Sequence, residues 1–261
     1  MRRFMAIACA AFAIPMTAAA LELPGPGARA DGEGTSLTFG IERTTGDYGQ
    51  ARDTTITTIP VTLRLGSRPW QFGVTVPWVH VEGPGNVTRD LGRYRPAGTS
   101  RTESGIGDVV AFGTRSLATG AGGWGLDATA AIKFGTASAS KGLGTGEEDF
   151  SLALDAYGAA GGLVPFATLG HRWVGDPPGV SLRDVLFARL GAARWLDADT
   201  SAGLMWRGQE RLAAGLGPQS EISVFYTRRF GAGWKAHFYG LVGLEDGSPD
   251  FGAGAFVVLL F

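Results

Sequence analysis

The sequence predicts an all-β chain that folds as a transmembrane, up-and-down antiparallel β-barrel of about twelve strands. Three observations predict it. Beyond residue 35 the apolar side chains recur with period two and not with the helical period. The gaps between the alternating segments are short and long by turns. The seven tryptophans stand toward segment ends and none at a segment midpoint.

The chain opens on an export signal. Arg2 and Arg3 precede an apolar stretch from Phe4 to Met16 that is too short to span a bilayer, and Ala18 and Ala20 fit the small-x-small cleavage rule. Residues 1–20 are therefore expected to be removed. Residues 21–35 are expected to form a short periplasmic segment, and residues 36–261 a barrel in a bacterial outer membrane. Cys9, the single cysteine, lies inside the signal, so the mature chain would hold neither a disulfide nor a thiolate metal site. A sheet closed in lipid satisfies its own backbone and needs no such staple. No later run reaches the roughly 18 apolar residues of a spanning helix. A net charge of −1 leaves no electrostatic footprint for nucleic acid.

The segments run 36–44, 55–65, 70–81, 105–117, 124–134, 150–158, 163–173, 185–195, 201–207, 221–228, 234–243 and 251–261. Most are about the length a tilted strand needs to cross a membrane. The last shows the pattern plainly, with Phe251, Ala253, Ala255, Val257, Leu259 and Phe261 on one face. Short gaps, such as 66–69 and 229–233, alternate with longer ones, of which 82–104 is the longest. An even strand count puts both chain ends on the short-turn side, which is periplasmic in such barrels. A soluble β-sandwich would also alternate, but it requires a polar outer face. Here the outward faces are Ala, Val, Leu, Ile and aromatic.

Under this topology Trp70, Trp124, Trp195 and Trp234 fall at periplasmic strand ends, and Trp78, Trp173 and Trp206 near outer ends. Indole favours the boundary between apolar and wet, so these seven are expected to form two aromatic girdles. Phe261 ends an alternating strand on an aromatic ring, and is similar to the terminal signal read by barrel-assembly machinery.

Turning the continuous apolar face to lipid assigns the other face to the lumen. The expected lumen-lining residues are Glu42, Arg64, Asp127, Lys133, Asp155, Arg189, Arg207, Glu221, Lys235 and His237, among threonines, serines and glutamines. Arg64, Arg189 and Arg207 are expected to face Asp127, Asp155 and Glu221. Such charges serve either an ion-selective conduit or a salt-bridged plug. Segment 105–117 is mixed on both faces, so that Asp108 and Arg115 cannot both be lumenal without a bulge.

Enzyme chemistry finds little support. His80, His171 and His237 lie outside any G-x-S-x-G elbow, H-x-S-N or H-E-x-x-H motif. Neither an enzyme nor a cofactor or metal is expected. The run Gly142-Leu143-Gly144-Thr145-Gly146 lacks the Lys-Ser/Thr of a phosphate loop and reads as a flexible extracellular loop. Glu147, Glu148 and Asp149 beside it offer oxygen ligands, but charges at a loop end are usually just solvated.

One series of motifs runs through the chain. Ser104-Gly105-Ile106-Gly107-Asp108 precedes an apolar strand, and Ile132-Lys133-Phe134-Gly135-Thr136 ends one. Gly142 to Gly146 with Asp149, then Leu169-Gly170-His171-Arg172 and Gly175-Asp176, follow. In this order they resemble the outer-membrane transporter family named for the meta-cleavage pathway of phenol degradation. Gly135 stands where that pattern has proline, and His171 where it has an aromatic residue. The resemblance implies a channel or transporter for small solutes, often aromatic or hydrophobic, and carries over no catalytic residue. The expected partners are outer-membrane lipid, barrel-assembly machinery and a small-molecule solute, with no nucleic acid. A closed structural or surface-interaction barrel and a membrane hydrolase stand as alternatives.

Overall fold

The computed structural model describes residues 34–48, 51–83, 101–120, 123–177, 181–213 and 216–261. The expected export signal and nearly all of the N-terminal segment lie outside them, as does most of the longest loop. Among the described residues no helix is long and apolar enough to cross a membrane. The strands are β1 (Ser36–Gly46), β2 (Thr54–Ser67), β3 (Trp70–Gly83), β4 (Arg101–Ile106), β5 (Val109–Thr119), β6 (Gly125–Phe134) and β7 (Asp149–Tyr157). They continue as β8 (Leu163–Trp173), β9 (Val185–Trp195), β10 (Thr200–Gln209), β11 (Gln219–Phe230), β12 (Trp234–Gly243) and β13 (Phe251–Leu260).

All pairings are antiparallel and join strands close in sequence, except that β1 pairs with both β2 and β13. The sheet therefore closes into a cylinder, with β4 paired on one side only, to β3. β4 and β5 are the two halves of one stave, since both pair with β3. The wall is thus a closed antiparallel barrel of twelve staves, built from thirteen strands.

The interrupted stave has a local cause. In an antiparallel ladder a residue's N–H and C=O point to the same neighbour. The carbonyl of Pro77 on β3 accepts from the Gly107 N–H at 2.8 Å, so the N–H that proline lacks would have faced this same stave. The register confirms one extra residue: Trp78 stands opposite Ile106, but Thr75 opposite Val110. One extra residue exchanges the faces. Ile106 points outward and is exposed, whereas Asp108 and Val110 point inward and are buried. Arg115 remains outside, over the ring of Trp70.

Alternation sets the two faces elsewhere. On β3, exposed Trp70, Phe72, Val74, Val76 and Trp78 interleave with buried Gln71, Gly73, Thr75, Pro77 and Val79. The exposed face of every long strand is mostly apolar, which is unfavourable in water and favourable in hydrocarbon. The short turns after β2, β5, β7, β9 and β11 share one end of the cylinder with the first and last strand ends. There Gly34 N–H bonds Gly66 O at 3.2 Å and Phe261 N–H bonds Thr35 O at 2.9 Å. The long loops share the other end.

Candidate functional site: the barrel interior and its mouth

The motif residues scattered through the sequence converge at the long-loop end. Lys133, on the inner face of β6, places its Nζ 3.4 Å from Asp108 Oδ2 and 3.2 Å from Asp149 Oδ2. The same Nζ donates to Thr145 Oγ1 at 2.9 Å. Asp108 also accepts from Ala137 N–H (2.9 Å), and Asp149 from Gly175 N–H (3.1 Å). Thr136 mends the stave break, accepting from Val109 N–H and donating to Gly107 O. Lys133, Asp108 and Asp149 are all buried, so the two carboxylates face the shared ammonium rather than solvent.

This cluster holds the β6–β7 loop inside the mouth. Leu143, 1% exposed, packs with Ala137 against Tyr48, Ile56, Val79 and Val81. A Cβ on Gly144 would stand 2.6 Å from the Asp108 carboxylate, so the chain passes there at a distance only glycine permits. The glycine-rich run expected to be a flexible loop is packed instead, and Asp149 is engaged by Lys133 rather than solvated. The sequence hides this because the anchoring leucine stands alone, with no periodic apolar neighbours.

Further charges occupy the wall. Arg207 and Glu221 face each other in register on β10 and β11, 4.0 Å apart and both buried. Arg189 is buried between Thr168 and Arg207 in register. Arg172 donates to Gln209 at 3.1 Å and lies over Phe187. Arg64 donates to Gln71 at 3.5 Å and lies over Phe112. Asp127 meets Arg68 of the β2–β3 turn at 3.9 Å, and Arg68 also bonds the Tyr157 hydroxyl. Asp155 accepts from the hydroxyls of Thr129 (3.3 Å) and Thr168 (2.6 Å). Of the arginines and carboxylates expected to face one another, Arg207 and Glu221 stand together, whereas Asp127 is met by Arg68 and Asp155 by threonine hydroxyls. Lys235 is buried, and His237 is buried with its Nδ1 2.8 Å from Thr227 Oγ1.

Sequence reasoning missed an aromatic lining. Val164, Ala193, Met205, Phe225, Tyr239, Leu241 and Phe256 form one interior cluster, with Phe166 packed against it. Most of these rings lie on glycine. In register Gly40 faces Phe256, Gly170 faces Phe187, Gly191 faces Phe166, Gly203 faces Phe225 and Gly254 faces Tyr239. A Cβ at any of the five would come within 2.0–2.3 Å of the ring. Each ring thus lies along the wall instead of across the lumen. The available signal was non-local: a glycine and an aromatic residue at matched register.

The outer surface carries most of the tryptophans. Trp70, Trp78, Trp124, Trp173 and Trp234 are exposed on it. Trp206 donates to Ser220 Oγ at 2.9 Å. Trp195 departs from its expected place: it has the parity of Ala193 and packs against the interior cluster. His80 stacks on Trp78, His171 lies against Trp173, and the Phe261 ring is exposed.

A closed wall, an apolar exterior and an interior of buried charges and rings define an outer-membrane β-barrel. The sequence matches no family model and no curated protein. Solved structures match its fold. The COG4313 outer membrane channel from Pseudomonas putida F1 aligns with TM-score 0.71 at 14% identity, over 90% of this chain and 100% of that one. The KdgM porin aligns with TM-score 0.55 at 7% identity, over 87% and 99%. The NanC porin aligns with TM-score 0.54 at 9% identity, over 87% and 98%.

Proposed function

We propose that this barrel is an outer-membrane channel for small solutes of aromatic or otherwise hydrophobic character. The observation that carries the reading is the interior band of Phe166, Phe225, Tyr239 and Phe256, whose rings are laid flat on glycines, with Met205 packed among them. A barrel needing only to stand has no use for a smooth apolar band among buried charges. An apolar solute would find van der Waals contact there, and the charged groups on either side would fix the band's limits. The names of the fold neighbours, which are channels and porins, and the motif resemblance point the same way.

A closed structural barrel is the second reading, and the packed β6–β7 loop favours it. Planar-bilayer recording with the purified chain separates the two. Under the channel reading the wild type conducts, benzyl alcohol blocks the current at the aromatic band, and Leu143→Ser raises the conductance. Silence from both wild type and Leu143→Ser, with folding intact by heat-modifiability, would leave only the closed barrel.

A further inference from the structure

The outward-facing charges are distributed unevenly between the two ends of the wall. At the long-loop end they pair with opposite charge: Arg43 lies 3.7 Å from Glu82, which also meets His80 at 3.4 Å. At the short-turn end, among the described residues, the ionisable side chains facing outward from the strands are Arg115, Arg194 and Arg228, and all three are exposed. Their depth is fixed by register. Arg115 stands opposite Trp70, Arg194 opposite Leu163 and Arg228 opposite Thr200, each the first residue of its strand. All three therefore lie level with the short turns, where the hydrocarbon ends and the headgroups begin.

Aromatic rings, not carboxylates, position two of these guanidinium groups. Arg115 lies over Trp70 at 5.1 Å and Arg228 over Phe230 at 5.6 Å. The Phe230 ring in turn stacks on Trp234 at 4.1 Å, with 9° between the planes. A ring under a guanidinium fixes its plane while leaving its N–H donors directed outward. Among the described residues no carboxylate comes within ion-pair distance of Arg115, Arg194 or Arg228. Asp197, in the β9–β10 turn, feels the charge of Arg228, but its carboxylate accepts from the Asp199 N–H at 2.8 Å. Three exposed cations at one level, on an apolar wall, complement a layer of anions.

We propose that this belt binds anionic phospholipid of the periplasmic leaflet, each arginine taking a headgroup phosphate. Guanidinium matches phosphate oxygens two at a time, and the neighbouring rings sit at the glycerol level. The occupant is a lipid and not free phosphate, because the apolar wall beside each arginine has to be covered by acyl chain. Net negative lipid is selected over zwitterionic lipid because, among the described residues, no carboxylate lies at ion-pair distance from these three arginines.

The test uses the full chain refolded into phosphatidylcholine vesicles in which a fraction of the lipid is bromine-labelled. Tryptophan fluorescence then reports which lipid contacts the wall, with Trp70, Trp124 and Trp234 at the relevant end. Brominated phosphatidylglycerol is expected to quench beyond its mole fraction, with a preference over brominated phosphatidylcholine of roughly fivefold for each arginine engaged. The preference should vanish in Arg115→Gln/Arg194→Gln/Arg228→Gln and survive in the triple Lys variant. Equal quenching by the two lipids in the wild type would overturn the proposal, as would a preference that persists in the triple Gln variant. If that variant does not fold, salt on the wild type decides. A preference unchanged between ~0.02 and ~1 M salt is not electrostatic and overturns the proposal equally.

Discussion

The hydroxyl of Tyr239 donates to Glu42 Oε2 at 2.7 Å, across the strand on which the cylinder closes. Tyr239 lies on β12 and Glu42 on β1, and both stand opposite Gly254 of the intervening β13. The bond exists because Gly254 has no side chain: a Cβ there would be 2.3 Å from the Tyr239 ring. Gly254→Ala is therefore expected to lift the ring, break the bond and cost about 1–3 kcal/mol. Gly233, in the β11–β12 turn, has nothing within 4 Å, so Gly233→Ala should fall within about 0.5 kcal/mol of wild type. Urea unfolding of the two variants side by side measures both. Equal stabilities would show that the ring does not depend on its glycine.

The Lys133 cluster gives a larger effect. Lys133→Met removes the one cation that, among the described residues, lies within 4.0 Å of both Asp108 and Asp149. Breaking a buried ion pair from one side costs about 3–5 kcal/mol. The expected result is a marked fall in unfolding midpoint, and proteolytic cleavage between Ser138 and Gly146 that the wild type resists. Resistance unchanged in a folded Lys133→Met protein would mean that Leu143 alone anchors the loop.

The Arg207–Glu221 pair tests the wall charges separately. Arg207→Ala leaves Glu221 buried with one fewer cationic neighbour, and a loss of about 3 kcal/mol is expected. Arg43→Ala breaks an exposed pair with Glu82 and should cost about 0–1 kcal/mol. Similar small losses for both would mean that the lumen around Arg207 is as wet as the outer surface. If the barrel conducts, Arg207→Ala also shifts its ion selectivity toward cations, which a reversal potential in a salt gradient reads.

Where strands lie was largely legible in the sequence, because alternation is a local signal. Segments 163–173, 185–195 and 234–243 coincide with β8, β9 and β12 residue for residue. The failure at segment 105–117 is instructive. One extra residue at Gly107–Asp108 exchanges inner and outer faces partway along, and a second register shift follows between Ser116 and Ala118, so the segment sums to a mixed pattern. Pro77, the cause, sits in another segment. Partners were less legible than faces. Nothing near Asp127 in sequence indicates Arg68 of the β2–β3 turn, and nothing near Gly203 indicates Phe225. Those pairings are set by register between strands, which a single strand's alternation does not contain. Trp195 shows the converse limit: its position at a strand end was plain, but the end alone does not say which way the ring turns.

The pairing of β1 with β13 also governs when this molecule acquires its shape. Ser36 meets Leu260 and Thr45 meets Phe251, so the seam joins the two extremes of the barrel sequence. Every other contact in the wall is between staves adjacent in order and forms as the hairpins meet. Until the final strand arrives, β1 offers an open row of backbone donors and acceptors, a template for any stray strand. The last contact is also the one with the greatest loop-closure entropy. Substitutions at the seam, of which Gly254→Ala is one, should thus slow completion of the cylinder more than equal losses of stability placed anywhere else in the wall.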